Sequence, residues 1–190
     1  ALPRLLGGNR RSGSRSVDSM KRCPATQLMR VRNAGTAFDG KHLYQIAEDR
    51  ILKIEPNSGR VVSTIPSPGG GRDSGLAWAE GSLWVGQYRD RTIVQVDPET
   101  GKVIRTIESN RFVTGVSWVD GELWHGTWEE EQSDVRRIDP QTGEVMERLE
   151  MPKGVFVSGL ESDGKDRFFC GSGSTNNKVR AIRRPKRSRA

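Results

Sequence analysis

The sequence predicts an all-β protein, a β-propeller of about four (or five) four-stranded antiparallel blades. The first observation is residues 113–152, where four short apolar runs are separated by turn residues such as Gly121 and Asp139-Pro140. Four short strands in a meander form one propeller blade. The second observation is that this stretch has counterparts along the chain at a nearly constant spacing.

Four glycines begin the copies, at spacings of 40, 40 and 44 residues: Gly35, Gly75, Gly115 and Gly159. A period near forty residues with four strands per unit is typical of propeller blades. The predicted blades are residues 34–66, 74–109, 113–152 and 158–185, and the last copy stops after three strands.

An aromatic residue recurs in the second strand of each copy, at Tyr44, Trp84, Trp124 and Phe169. Both faces of these strands are apolar, as expected for a sheet packed between two neighbours. One blade alone is a marginal meander, so flanking blades must bury its faces. The aromatics are therefore expected to lie between blades.

The ends of the chain divide into three further segments. Residues 1–24 form a basic arm without periodicity, residues 25–33 can form one strand, and residues 186–190 are a basic tail. Because the fourth copy lacks its outer strand, either residues 25–33 close the ring, or missing sequence or a partner chain completes it. Closure would hide a sheet edge that otherwise invites aggregation.

The positive charge is concentrated at the two ends. Residues 1–22 and residues 183–190 each carry +5, and the whole chain carries +7, so residues 23–182 carry −3. Basic ends can bind polyanions weakly by neutralising phosphates. Solvated ends without a partner are the alternative.

No run of 18 apolar residues indicates a membrane helix, and the beginning lacks the apolar core of a signal peptide. Only two cysteines occur, Cys23 and Cys170, too few for a disulfide scaffold. These features favour a soluble protein of a reducing compartment, and we expect the cytoplasm, as a monomer or a homo-oligomer that completes the ring.

The predicted ligand site lies at one mouth of the central channel, where the loops after the second and fourth strands converge. Aromatic side chains mixed with both signs of charge suit a small polar molecule or a peptide end. The alternative is that these aromatics pack the blades and the charges form solvated pairs. The candidate binding residues are Arg72, Asp73, Tyr88, Arg111, Trp124, Trp128 and Phe156.

The candidates for acid–base chemistry are Glu48, Glu129 and His125. Glu48 and Glu129 follow second strands, whereas His125 lies inside one and is more typical of a hydrogen-bonded packing residue. No spacing of histidines or cysteines predicts a zinc site, and no cofactor is expected.

Three segments carry a resemblance to known propellers: TGVSWVDGELWHGTW, RRIDPQTGEV and VSGLESDGK. They resemble the plant- and bacterial-type glutamine cyclotransferases and, more distantly, virginiamycin B lyase and YncE-type propellers. The resemblance implies cyclisation of an N-terminal glutaminyl residue without a metal, with Trp124 and Trp128 at the family's aromatic positions. Gln45 and Gly126 stand where that family favours glutamate and asparagine.

Three functions follow from these observations. The first is ligand binding at the channel mouth without catalysis, and the second is an enzyme of the cyclotransferase or lyase kind. The third is an interaction scaffold that uses the basic ends to reach nucleic acid or an acidic partner.

Overall fold

The computed structural model describes residues 33–171 and 178–185. Its regular elements are all β-strands, which form four antiparallel sheets arranged as the four blades of a propeller. The all-β propeller prediction is therefore confirmed. The basic arm, Cys23, the tail at residues 186–190 and the expected strand at residues 25–33 lie outside the described residues, apart from Asn33, which begins the first strand.

Three blades have four described strands each, joined in chain order. Blade 1 consists of β1 (Asn33–Phe38), β2 (Leu43–Ala47), β3 (Arg50–Ile54) and β4 (Val61–Pro66). Blade 2 consists of β5 (Asp73–Ala79), β6 (Ser82–Gln87), β7 (Thr92–Val96) and β8 (Val103–Glu108). Blade 3 consists of β9 (Phe112–Val119), β10 (Glu122–Glu129), β11 (Gln132–Ile138) and β12 (Val145–Glu150).

Blade 4 has three strands within the described part of the chain. They are β13 (Leu160–Ser162), β14 (Arg167–Gly171) and β15 (Val179–Arg183), with β14 in the middle. The sequence predicted a copy that stops after its third strand, and the described sheet has that form.

The turns between the third and fourth strands are held by a carboxylate side chain. In each turn this carboxylate accepts hydrogen bonds from two backbone N–H groups. In blade 2, Asp97 Oδ1 accepts hydrogen bonds from the backbone N–H of Glu99 and of Thr100. Gly101 closes the turn at φ 73°, a backbone conformation that glycine adopts without steric cost. The carboxylates of Glu55 and Asp139 accept the same pair of bonds in blades 1 and 3.

Aromatic side chains fill the spaces between blades, as predicted. Tyr44 of blade 1 stacks on Trp78 of blade 2, with ring centroids 5.4 Å apart, and Trp84 of blade 2 stacks on Trp118 of blade 3 at 5.9 Å. Such pairs add about 0.5–1.5 kcal/mol beyond the buried area. Every residue of β6 is buried, as expected for a strand covered on both faces.

The last interface uses a different residue from the one that the repeat predicted. Trp124 of blade 3 packs against Phe168, with ring centroids 4.9 Å apart. Phe169 aligns with Trp124 in register but is half-buried, with the Arg167 guanidinium 5.6 Å from its ring centroid. Phe169 instead borders the central channel, together with residues of the other three blades such as Gly35 and Gly75.

The four copy-starting glycines bring the inner strands together around the axis. A Cβ atom on Gly35 would lie 2.4 Å from the Leu76 backbone nitrogen, and one on Gly75 would lie 2.7 Å from that of Val116. The corresponding distance from Gly115 to the Leu160 nitrogen is 2.6 Å. These steps form a glycine staircase, the series Gly35, Gly75, Gly115 and Gly159, which sets the spacing between blades.

No helix in the described part of the chain is long and apolar enough to cross a membrane. Cys170 is a free thiol buried between blades 3 and 4, and burial raises its pKa.

Candidate functional site

The channel mouth is formed at the end where each second strand turns into its third strand. The inner strands run in the same direction in every blade, so these turns share one end of the channel with the linkers that enter each inner strand. Tyr88 and Trp128 occupy that end of blades 2 and 3, and Phe112 and Phe156 come from the linkers or the strand starts.

Four aromatic side chains at this mouth form a continuous row, which we call the aromatic row. Tyr88 stacks on Phe112 with ring centroids 4.8 Å apart, and Phe112 stacks on Trp128 at 6.0 Å. Trp128 then meets the edge of Phe156 at 6.1 Å. Loops that enter successive blades thus share one apolar surface.

Three members of the aromatic row, Tyr88, Trp128 and Phe156, border a cavity of about 410 Å³, the mouth cavity. Its walls are mainly apolar, with a few hydroxyl groups among them, as is usual for sites that take small organic molecules. The residues around it are Ser74, Tyr88, Thr114, Trp128, Phe156, Val157 and Ser158.

Two polar groups in this wall are buried without a hydrogen-bond partner in the described part of the protein. They are the Trp128 indole nitrogen and the Thr114 hydroxyl. By contrast, Ser74 Oγ is satisfied, because its one O–H can be donated to the carbonyl of Val113 at 2.7 Å or to that of Gly86 at 3.0 Å. A buried donor without a partner costs about 1–3 kcal/mol, so Trp128 and Thr114 need an explanation.

Glu129 adds an acid beside the aromatic row. Its Oε1 accepts a 3.0 Å hydrogen bond from Arg91, whose guanidinium lies 4.4 Å from the centroid of the Phe112 ring. The second oxygen, Oε2, is buried and has no partner among the described residues. Burial first, and then the charge of Glu129, raises the pKa of Tyr88.

Asp73 and Arg72 lie at the same end of blade 2 but outside the mouth cavity. Asp73 is buried and accepts hydrogen bonds from the Gly69 backbone and from Gln87. Burial raises the pKa of Asp73, and these two bonds oppose the rise. Arg72 is exposed, donates to the Gly69 carbonyl and lies 3.4 Å from Asp90.

His125 is buried in a polar cluster between blades 2 and 3, with its Nδ1 unpartnered among the described residues. Burial, followed by the charge of Arg136, lowers the pKa of His125 to about 4. Its ring faces the same side as Thr127 and Leu123, as strand alternation predicted. None of the described cavities is bordered by His125.

Arg111 is held by this cluster rather than by the mouth cavity. It contacts Asp134 Oδ2 at 3.2 Å and donates to Gln132 Oε1 at 3.1 Å. It borders a larger depression of about 650 Å³ with the side chains of Glu131 and Lys153. The wall of that depression has no aromatic residue, and Arg111 is already paired, so the mouth cavity is the better ligand site.

Two other predicted residues lie apart from the mouth cavity. Trp124 is buried in the core between blades 3 and 4, and its indole nitrogen donates to Glu122 Oε2 at 3.1 Å. Glu48 is exposed in the turn after β2 at φ 54° and borders none of the described cavities. Of the predicted binding residues, the mouth cavity brings together Tyr88, Trp128 and Phe156.

Sequence reasoning did not single out Thr114, Ser158 or Val157 as site residues. Thr114 and Ser158 directly precede a copy-starting glycine, and Val157 lies two residues before one. Their place at the entry to an inner strand was the only sequence feature that could have indicated a site residue. A metal site is not indicated, because the described residues contain no cluster of three or more histidine, cysteine or carboxylate side chains.

Comparison with known proteins places the chain in a family. Residues 20–178 match the family described as "Domain of unknown function (DUF5074)". The chain belongs to this family. No curated protein matches it in sequence.

Solved structures share the fold of this DUF5074 protein at low sequence identity. A glutaminyl cyclase from Myxococcus xanthus aligns with a TM-score of 0.63 and 17% identity, over 80% of this chain and 73% of the other. The computationally designed Ika4 protein aligns with a TM-score of 0.54 and 14% identity, over 83% and 94% of the two chains. The Pan2 WD40 domain of Neurospora crassa aligns with a TM-score of 0.58 and 13% identity, over 79% of this chain and 46% of the other. These likenesses show the fold alone.

Proposed function

We propose that this protein binds a small polar organic molecule, or the end of a peptide, in the mouth cavity. The observation that carries the proposal is the pair of buried, unpartnered polar groups, Trp128 Nε1 and Thr114 Oγ1, in the wall of an aromatic-lined cavity. A bound molecule that forms hydrogen bonds with both groups would remove the free-energy cost of leaving them without partners.

The chemistry of these groups limits the ligand. An indole N–H can only donate, so the ligand must offer an acceptor to Trp128. Glu129 Oε2 can only accept while ionised, so a ligand that reaches it must offer a donor. A planar group with both, such as a carboxamide, would also lie flat against the rings of the aromatic row.

The proposal is tested with a defined probe, a tripeptide that begins with glutamine, titrated into the full chain by calorimetry. Thr114→Val and Trp128→Phe each remove one polar group while preserving most of the volume. We expect each variant to weaken binding by about tenfold, which is near the value of one hydrogen bond. Thr106→Val changes an exposed threonine on β8 and should bind as the unmodified chain does.

Wild-type affinity in both cavity variants would contradict the proposal. An N-acetylated copy of the tripeptide shows whether a free amine is needed. If it binds equally well, the ligand is held through its amide groups and not through its amino terminus.

A second candidate function, cyclisation of N-terminal glutamine, is favoured by one observation. Glu129 has a buried unpartnered oxygen close enough to Tyr88 to affect its pKa. A carboxylate at that place could take a proton from the α-amino nitrogen as this nitrogen attacks the side-chain amide carbon, and could pass the same proton to the amide nitrogen, which then leaves as ammonia. The shared fold with a glutaminyl cyclase is consistent with this candidate.

Ammonia release from the same tripeptide separates the two functions. Turnover that disappears in Glu129→Gln, while binding remains, supports catalysis with Glu129 as the base. Glu48→Gln and His125→Gln test the other two predicted acid–base residues. Binding without turnover in the unmodified chain supports the binding function alone.

A further inference from the structure

A second cavity lies at the opposite end of the channel from the aromatic row. It measures about 270 Å³ and is bordered by the ends of the inner strands, and we call it the far cavity. Three aromatic side chains surround it, one from each of the first three blades: Phe38, Trp78 and Trp118. None of the residues that border the mouth cavity borders the far cavity.

The fourth blade departs from the other three at this end. Two residues after their first glycine, blades 1 to 3 carry the small residues Ala37, Ala77 and Ser117, whereas blade 4 carries Glu161. At the next position the first three blades carry the aromatics of the far cavity and blade 4 carries Ser162. Blade 4 therefore brings a carboxylate to a cavity that is otherwise ringed by aromatics.

Glu161 has no basic partner within ion-pair distance among the described residues. Its Oε1 accepts a 3.0 Å hydrogen bond from the Ser162 backbone N–H, and the carboxylate borders both the channel and the far cavity. Glu161 is exposed to solvent on one side, and partial desolvation of its carboxylate raises its pKa, a rise that the Ser162 bond opposes only partly. The surroundings of this acid thus lack a compensating positive charge.

Ser117 supplies the second, independent observation. Its side chain is 2% exposed and borders the far cavity, yet its hydroxyl has no hydrogen-bond partner in the described structure. A serine hydroxyl offers two acceptor lone pairs as well as one donor. A buried hydroxyl left dry at the wall of a cavity indicates a missing partner.

We propose that the far cavity binds a primary alkylammonium group, held by Glu161, Ser117 and the ring of aromatics. The carboxylate balances the charge, the Ser117 hydroxyl accepts one N–H, and indole and phenyl rings attract a cation through their faces. The alkyl chain lies against the apolar walls that Leu43 and Leu76 contribute. A divalent metal ion is a poorer fit, since one carboxylate and one hydroxyl supply few of the six to eight oxygens that calcium prefers.

The experiment uses n-butylammonium as the probe at neutral pH and low salt, with the indole N–H resonances of the full chain followed by NMR. Glu161→Gln keeps the shape and removes the charge, and we expect it to weaken binding by at least about tenfold. Phe38 is 55% exposed, so Phe38→Ala should leave the fold intact and weaken binding by about two- to fivefold. Glu108→Gln, an exposed carboxylate on β8, is the matched control and should bind normally.

Two outcomes would overturn the proposal. One is unchanged butylammonium binding in Glu161→Gln. The other is equal binding of 1-butanol, which would show that only the alkyl chain is recognised. N-acetyl-lysine amide tests whether the cavity also accepts the ammonium group of a lysine side chain. The site is supported if either amine binds the unmodified chain and binds Glu161→Gln much more weakly.

The far cavity and the mouth cavity are tested separately. Thr114→Val, which alters the mouth, should leave butylammonium binding unchanged. A direct test of contact is the pKa of Glu161, followed in a carbon-detected titration. Saturating butylammonium should lower this pKa, because the cation favours the charged carboxylate, whereas a purely structural role of Glu161 would leave it unchanged.

Discussion

Arg136 and Asp134 form an ion pair inside blade 3, with Arg136 Nε 2.8 Å from Asp134 Oδ1 and both side chains at most 2% exposed. The same carboxylate accepts a hydrogen bond from Thr127 and lies within 3.4 Å of nitrogens on Arg111 and Arg148. One buried aspartate thus holds three arginines, Arg136 and Arg148 from blade 3 and Arg111 from the linker that enters it. This arrangement anchors Arg111 away from the mouth cavity.

Asp134→Asn should destabilise the protein strongly. The substitution leaves the buried Arg136 guanidinium without a compensating charge, and breaking one partner of a buried pair costs about 3–5 kcal/mol. Urea denaturation measures the loss. Asp49→Asn is the control, because Asp49 and Arg50 are both more than half exposed and such pairs contribute about 0–1 kcal/mol. Equal stability of the two variants would contradict the assigned role of Asp134.

His125 should make the protein less stable in mild acid. The native pKa is about 4, below the ordinary value of 6.5, so the unfolded chain takes up a proton first as pH falls. The contribution is fully present above pH 6.5 and is lost progressively down to about pH 4, amounting to about 3 kcal/mol at most.

Denaturation midpoints measured between pH 7 and pH 4 test this effect. His125→Val introduces the residue that blade 2 carries at the equivalent place, Val85, and should flatten the pH dependence. An unchanged slope in this variant would show that other groups cause the acid sensitivity.

The glycine staircase gives a matched pair of substitutions. Gly75→Ala would place a methyl group 2.7 Å from the Val116 backbone nitrogen, which cannot move without shifting a blade. Overpacking of this kind costs about 1–3 kcal/mol or more. Gly159→Ala meets no described atom within 4 Å and should be neutral or slightly stabilising. In thermal unfolding, Gly75→Ala should therefore have a lower melting temperature than the unmodified chain, whereas Gly159→Ala should have an equal or slightly higher one.

Two threonines should respond oppositely to replacement by valine. Thr114→Val removes a hydroxyl that is buried without a described partner, so the ligand-free protein should become more stable by about 1 kcal/mol. Thr127→Val removes a hydroxyl that donates to Asp134, so stability should fall by about 1.5–3 kcal/mol. Stabilisation by Thr114→Val together with weaker probe binding would indicate a group retained for ligand recognition.

The architecture could be predicted from sequence because the repeat records it several times. Tyr44, Trp84 and Trp124 each pack against the following blade, as their equivalent places predicted. Phe169 follows the same register but is only half-buried, because it borders the channel and not an aromatic side chain of a neighbouring blade. A repeat pattern shows which positions are equivalent, yet burial depends on the neighbour that each copy has.

The candidate site could be predicted only in part. Tyr88, Trp128 and Phe156 were found because loop aromatics at equivalent turns converge on one mouth. Trp124 is four residues from Trp128 on the same strand, yet it lies in the core, since the strand passes from the middle of the blade to the mouth over that length. Thr114 and Glu161 could not be recognised from residue type alone. Thr114 is distinguished by its unpartnered buried hydroxyl, and Glu161 by standing where the other three blades carry a small residue.

The glycine staircase has a consequence for how the repeats can drift apart in sequence. A Cβ atom on Gly35, Gly75 or Gly115 would meet the backbone of the following blade, so selection should remove larger residues at these three places. A Cβ atom on Gly159 would meet no described atom within 4 Å, so random mutation should accumulate first at this fourth place.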